Sequence, residues 1–291
     1  LSHAYNYGAY ILNESGFGYI GGVAGMLKTN STVESSFTKG TINGIITTED
    51  TNFAAGLVAV VEKEATVEKS FSEATTVRAK FVGGLVAINA GIITESYVST
   101  GDYKGYSVGG MAYVNFGKVT HSYIINANLE SDAKDSDYSV AGLVVYMPKD
   151  SSMEYVYSSA SISRTGNANL YAETRSRIRY SGFEKFIDDI FNGAHFQRIA
   201  NKMKSEKDGA GKITNYVVVN YGSAYVQTNF FAGKPGFIEA TQEDAMGNTT
   251  TNPFRTAGFF DYTPTIWAFE DGQWPHLVRV VIDPTTVEEA E

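Results

Sequence analysis

"FVGGLVAINAGIITESYVSTGDY", residues 81–103, places two adjacent glycines before a short apolar run, then a small polar patch and an aromatic. Nearly the same order appears as "YIGGVAGMLKTNSTVESSFTKGTI" from Tyr19, "FAAGLVAVVEKEATVEKSFSEATTV" from Phe53, "SVGGMAYVNFGKVTHSYIINANL" from Ser107 and "SVAGLVVYMPKDSSMEYVYSSASI" from Ser139. Each copy has a small pair ending in Gly22, Gly56, Gly84, Gly110 or Gly142. An apolar residue then stands four positions before an aromatic: Val33 and Phe37, Val67 and Phe71, Ile93 and Tyr97, Val119 and Tyr123, Met153 and Tyr157. Glycine to aromatic spans 13 or 15 residues in every copy, and insertions fall between the anchors.

A period of 26 to 34 residues suits one coil of a solenoid that returns to stack on itself. Alternation within the half-repeats, as in Val119, His121 and Tyr123 against Thr120 and Ser122, has the strand period of two. A glycine at one place in every coil predicts a corner with a positive φ or a close approach to the neighbouring coil. The Phe/Tyr positions predict an aromatic ladder, one ring per coil, at the strand spacing of about 4.8 Å. "LSHAY" puts Leu1 four residues before Tyr5, so the chain reads as opening inside the second half of a coil, an internal stretch of a longer array. "GKITNYVVVN" from Gly211 is similar to "GKVTHSYIIN" from Gly117 with one residue fewer, which predicts a sixth, degenerate half-coil.

The repeated "GGLVAINAGIITESYVSTGDY" resembles the GLUG motif of bacterial surface proteins, G-G-L-V-G-x-N-x-G-x-I-x-x-S/C-Y. The segment "ATQEDAMGNTTTNPFRTAGFFDYTPTIWAFEDGQWPHLV" is similar to the stretch that closes such arrays, through Gly258, Phe259, Trp267, Asp271, Gly272, Pro275 and Leu277. The resemblance implies a β-solenoid module of an adhesin, of a wall-associated protein, or of the accessory region of an IgA-specific metallopeptidase. Its implied partners are other domains of the same parent chain, and host immunoglobulin or a glycan. Its implied location is secreted or cell-wall associated.

The chain of 291 residues has no cysteine, hence neither a disulfide framework nor a thiolate metal site. No apolar run approaches the roughly 20 residues of a membrane span. A net charge of −9 argues against general nucleic-acid affinity, because phosphate contacts need clustered Lys and Arg. Charge is uneven: residues 164–207 hold nine Lys/Arg against five acids, a local +4 that leaves −13 for the rest. Within that stretch "SGFEKFIDDIFNGAHFQRIANKMKSE" carries Phe183, Phe186, Ile187, Ile190, Phe191 and Ala194 at helical spacing. This predicts an amphipathic helix capped by Ser181, which either covers a solenoid edge or docks a partner. For the docking reading the candidate contacts are Arg175, Arg177 and Arg179, alternate residues on one face of an extended run, together with Lys185.

Catalytic constellations are sparse. The histidines are His3, His121, His195 and His276, without an H-E-x-x-H pair, so the zinc chemistry of the resembled peptidases is not placed in this chain. His121 reads as a ladder residue and His276 as packing against Trp274 in the closing segment. Asp188 and Asp189 would point about 100° apart on a helix, which suits no shared acid/base site. "ESDAKDSD", with Glu130, Asp132, Asp135 and Asp137, offers oxygen ligands for Ca²⁺ but lacks the glycine and spacing of an EF-hand loop, and a solvated turn is the alternative. A polysaccharide-acting β-helix would need acidic and basic residues converging on one face, where these strands carry Ser, Thr, Val and Tyr.

The sequence therefore predicts a mainly β protein: a parallel β-helix of about six coils over residues 1–165, a basic helical insert over 166–210, a degenerate last coil and closing segment over 211–282, and a linker to a following domain over 283–291. The expected function is that of a non-catalytic accessory module that needs no cofactor. Its closing segment is expected to pack on the solenoid's end through Trp267, Trp274 and Pro275.

Overall fold

Short apolar runs between turns shape every repeat into short strands, alternating in burial as in Asp102–Gly105 or buried throughout as in Phe81–Gly83 and Val86–Asn89, and in the computed structural model these strands stack in parallel on their counterparts from neighbouring repeats. The structure describes residues 1–14, 17–44, 46, 51–134, 138–147, 151–158, 160–166, 168–171, 174–175, short strands between 206 and 238, and 262–270 with 273–278. Every regular element among them is a strand. The amphipathic segment expected to be helical lies outside the described residues.

One coil passes through four sheets in turn. In the coil that begins at Phe81, sheet C takes Phe81–Gly83, sheet D takes Val86–Asn89, sheet A takes Ile92–Thr94 and Tyr97–Ser99, and sheet B takes Asp102–Gly105. Six strands of this kind stack in parallel in sheet C, from Phe17–Gly21 to Asn169–Tyr171, and six in sheet D, from Ala24–Leu27 to Thr174–Arg175. The anchors align as the repeat predicts, with Val67 opposite Ile93 and Phe71 opposite Tyr97. The core is the interior of the coil: Val33, Val67, Ile93, Val119 and Met153 form one fully buried column. Burial of each such side chain contributes about 1.5–3 kcal/mol, repeated coil after coil.

Sheet A departs from simple alternation. One residue per coil adopts a left-handed backbone: His3 (φ 54°), Ser35 (48°), Lys69 (47°), Glu95 (49°), His121 (46°) and Tyr155 (57°). This kink changes the phase of the strand, so that Val119 faces the interior while Tyr123 faces outward. Uniform alternation from Val119 through His121 to Tyr123 is thus corrected. A left-handed non-glycine residue costs on the order of 1–3 kcal/mol, and here the ladders on either side hold it in place.

The glycine corner behaves as the close approach predicts, without a positive φ. A Cβ on Gly22 would run into the carbonyl oxygen of Gly56, one on Gly56 into that of Gly84, one on Gly84 into that of Gly110, and one on Gly110 into that of Gly142. The first member of the pair is closed from within its own turn: a Cβ on Gly21, Gly83 or Gly109 would run into the carbonyl oxygen of Ala24, Val86 or Ala112, although Ala55 stands at the matching place opposite Gly83.

Beyond Ser152–Ser158 and Ser161–Arg164 the pairing reverses. Val218–Asn220 and Ile213–Asn215 pair antiparallel with these two strands, where a degenerate coil would pair parallel. The chain comes back across the stack and occupies the outer edges of sheets A and B.

Candidate functional site

The kink in sheet A creates an outer face lined by one aromatic per coil. Tyr5, Phe37, Phe71, Tyr97 and Tyr123 stack with centroid spacings of 4.8, 4.9, 4.8 and 5.1 Å. The last three intervals are within 6° of parallel. Each ring face is closed by its neighbour, so the ladder offers ring edges to whatever packs on it. Tyr157 holds the next register position, opposite Tyr123.

Beneath the aromatics runs a ladder that the repeat comparison missed. The amides of Ala4, Ser36, Ser70 and Ser96 donate to the hydroxyls of Ser36, Ser70, Ser96 and Ser122, at 3.0 to 3.2 Å. Each of these four serines donates in turn to the carbonyl two residues back. The kink removes these amides from ordinary strand pairing, and the serine oxygen replaces the missing acceptor. The signal was present as a serine immediately before the aromatic in four copies, at residues 36, 70, 96 and 122. A shorter polar ladder, from Asn89 Nδ2 to Asn115 Oδ1 at 2.8 Å, turns the corner from sheet D into sheet A.

The closing segment packs on this outer face, not on the solenoid's end. Trp267–Ala268 and His276–Leu277 pair as an antiparallel hairpin. The Trp267 ring lies 5.5 Å from Tyr123 and 6.2 Å from Tyr97, and Trp274 lies 6.4 Å from Tyr123. The Tyr123 hydroxyl donates to the carbonyl of Pro275, and that of Tyr262 to the carbonyl of Tyr155 at 3.1 Å. The reason is chemical: the ring edges of the ladder form an apolar strip that the hairpin's indoles cover, while the end of the stack presents backbone that strands cover. Burial pushes the phenols of Tyr97, Tyr123 and Tyr262 well above the ordinary range.

Where the hairpin ends, a cavity of about 350 Å³ remains between it and the kink, lined by His3, Glu34, Ser35, Lys69, Thr265, Ile266 and Leu277. Lys69 Nζ stands 3.4 Å from Glu34 Oε1, so the cavity presents a paired charge beside two aliphatic side chains. Further along the kink Glu95 is half-buried, and desolvation raises its pKa above the usual carboxylate range against the pull of Lys69.

Arg175 ends sheet D opposite Tyr146, whereas Arg177, Arg179 and Lys185 lie outside the described residues. Glu130 is held by Lys104 at 3.0 Å, and Asp135 and Asp137, the Ca²⁺ candidates beside Asp132, lie outside the described residues. His121 stacks on Tyr155 at 4.7 Å and bonds Thr120 Oγ1 at 2.7 Å, a side-chain role within the kink. His276 sits 3.9 Å from Glu270. Comparison of the chain with family models, with curated proteins and with solved structures finds no match.

Proposed function

We propose that this chain is a non-catalytic accessory module, a β-solenoid that holds or positions other parts of a large secreted or surface-anchored bacterial protein. The observation that carries this reading is where the recurring polar residues go. Ser36, Ser70, Ser96 and Ser122 pass hydrogen bonds from coil to coil, and the recurring aromatics stack on one another. Recurrence in this chain is thus accounted for by stacking. The GLUG-like spacing makes an IgA-specific metallopeptidase the leading parent, with other domains of that parent as partners.

The cavity at His3, Glu34, Ser35 and Lys69 favours a second reading, in which the module itself binds a host protein or glycan. The closed ring faces of the ladder leave a sugar no face to stack on there, which turns this reading toward an immunoglobulin or another protein.

The test is turnover and binding by the isolated chain. Incubation with immunoglobulin A and with a polysaccharide panel, with and without Zn²⁺, is expected to give no cleavage. Cleavage abolished by a point substitution within this chain overturns the accessory reading. Binding of immunoglobulin lost on Lys69→Glu supports the second reading.

A further inference from the structure

Four Lys–Glu pairs join neighbouring coils among the described residues, and one of them is built unlike the rest. Lys28–Glu62, Lys39–Glu73 and Lys104–Glu130 close to 2.8, 2.9 and 3.0 Å, whereas Lys69–Glu34 stands at 3.4 Å. Glu62 is well supplied with donors, accepting from Lys28 Nζ and from both the amide and the hydroxyl of Thr29. The bond between Lys69 Nζ and Glu34 Oε1 is the only one that either side chain makes among the described residues. An ammonium has three donors and a carboxylate about four acceptor sites, so most of the capacity of both groups is unspent.

This pair lines the cavity of about 350 Å³ at the hairpin's edge. The hairpin side contributes Ile266, partly buried, and Leu277, buried. Glu34 and Lys69 each have a coil on either side of them, so the charged wall is the same whatever stacks beyond His3. A volume at the lower end of the range for ligand pockets takes one small molecule. A cation and an anion 3.4 Å apart match a molecule that carries the opposite pair at the same spacing. Standard bond lengths place the ammonium nitrogen and a carboxylate oxygen of an α-amino acid about 3 Å apart. Set head to tail, the two pairs form a closed ring of alternating charge. A ligand with one charge does worse: an anion on Lys69 meets Glu34 beside it, and a cation on Glu34 meets Lys69. The aliphatic wall then favours an aliphatic side chain over a polar one.

We propose that this cavity is a binding site for a free aliphatic α-amino acid of the leucine type, with its carboxylate on Lys69, its ammonium on Glu34 and its side chain against Ile266 and Leu277. The site goes beyond the accessory and protein-binding readings and stands whichever of them holds, because the ligand needs only the interior of the cavity. A peptide does not meet the same requirement, since neither of its end residues carries both charges.

The test is calorimetric titration of the full chain with L-leucine, glycine, isocaproate and isoamylamine. Leucine is expected to bind saturably, with a dissociation constant on the order of 0.1–1 mM. Glycine lacks the side chain, isocaproate the ammonium and isoamylamine the carboxylate, and each should bind at least about tenfold more weakly. Lys69→Gln and Glu34→Gln remove one charge each from a partly exposed pair, so the β circular dichroism should be unchanged while leucine binding weakens about tenfold or more. If either variant fails to fold, the four probes on the unaltered chain decide. No saturable binding up to about 10 mM leucine, equal affinity for any of the three truncated probes, or leucine binding that neither folded variant changes overturns the proposal.

Discussion

The hydroxyl of Ser96 accepts a hydrogen bond from the amide of Ser70, one coil away, at 3.2 Å, while donating to the carbonyl of Thr94 at 2.8 Å. One buried oxygen therefore satisfies an amide that the left-handed kink at Lys69 has turned out of the ordinary ladder. Ser96→Ala removes the acceptor and leaves that amide unpaired. The expected cost is about 1–3 kcal/mol, read as a lower urea midpoint with an unchanged slope. Ser96→Thr keeps the hydroxyl and should recover part of the loss.

The two glycines of the corner are closed by different neighbours, one in the same turn and one in the next coil. Gly84→Ala would press a methyl group into the Gly110 carbonyl and should cost about 3 kcal/mol. Gly83→Ala would press its methyl group into the Val86 carbonyl of its own turn and should cost about 1–3 kcal/mol, the lower end if the turn takes up the backbone that Ala55 has in the adjacent coil. Thermal melts of the two variants side by side check the register.

Much of this architecture could be read from the repeat because stacking makes the same demand in every coil. A glycine at residues 22, 56, 84, 110 and 142 and a buried aliphatic four residues before each aromatic are such demands. The kink could not be read, because the residues that adopt it are His, Ser, Lys, Glu, His and Tyr; its backbone is imposed by neighbours and not by the side chain. The placement of the hairpin was illegible for a related reason. Trp267 marks an apolar segment that needs cover, but the strip it covers exists only once Phe71, Tyr97 and Tyr123 are stacked. The cavity beside Lys69 likewise combines residues from the start and the end of the chain, which no local pattern joins.

Glu95 predicts a pH dependence. Its pKa is raised in the fold by desolvation, so the folded state holds the proton more tightly than the unfolded state. The carboxyl therefore costs stability once pH exceeds the folded pKa, and that cost fades as pH falls through the unfolded value. Glu95→Gln should raise the melting temperature modestly at pH 7, with the gain disappearing below about pH 4. A variant that melts lower than the parent at pH 7 would show instead that Glu95 contributes through its electrostatic attraction to Lys69.

The buried phenols predict the alkaline limit. Tyr97, Tyr103, Tyr123 and Tyr262 all have raised pKa values because burial disfavours the phenolate. The unfolded chain loses these protons first, so their contribution to stability is complete below about pH 10 and falls as pH rises past it. Absorbance at the phenolate band should show these groups ionising together with the loss of β circular dichroism. Full ionisation ahead of that loss would place the rings in contact with water.

The hairpin can be followed by itself, because the chain has two tryptophans and both belong to it. Tyr123→Phe keeps the ring that stacks 5.1 Å from Tyr97 and removes the hydroxyl that donates to Pro275. Loss of that bond leaves the Pro275 carbonyl without the Tyr123 donor, a change on the order of 1–2 kcal/mol. Since the solenoid's core column lies on the other side of the sheet, the loss should fall on the hairpin first. The expected result is tryptophan emission shifted to the red and more open to acrylamide quenching, at temperatures where the β circular dichroism is still intact. Emission and circular dichroism that change together at one lowered midpoint would show that the hairpin and solenoid unfold as a single unit, with Trp267 and Trp274 as much a part of the core as Val119.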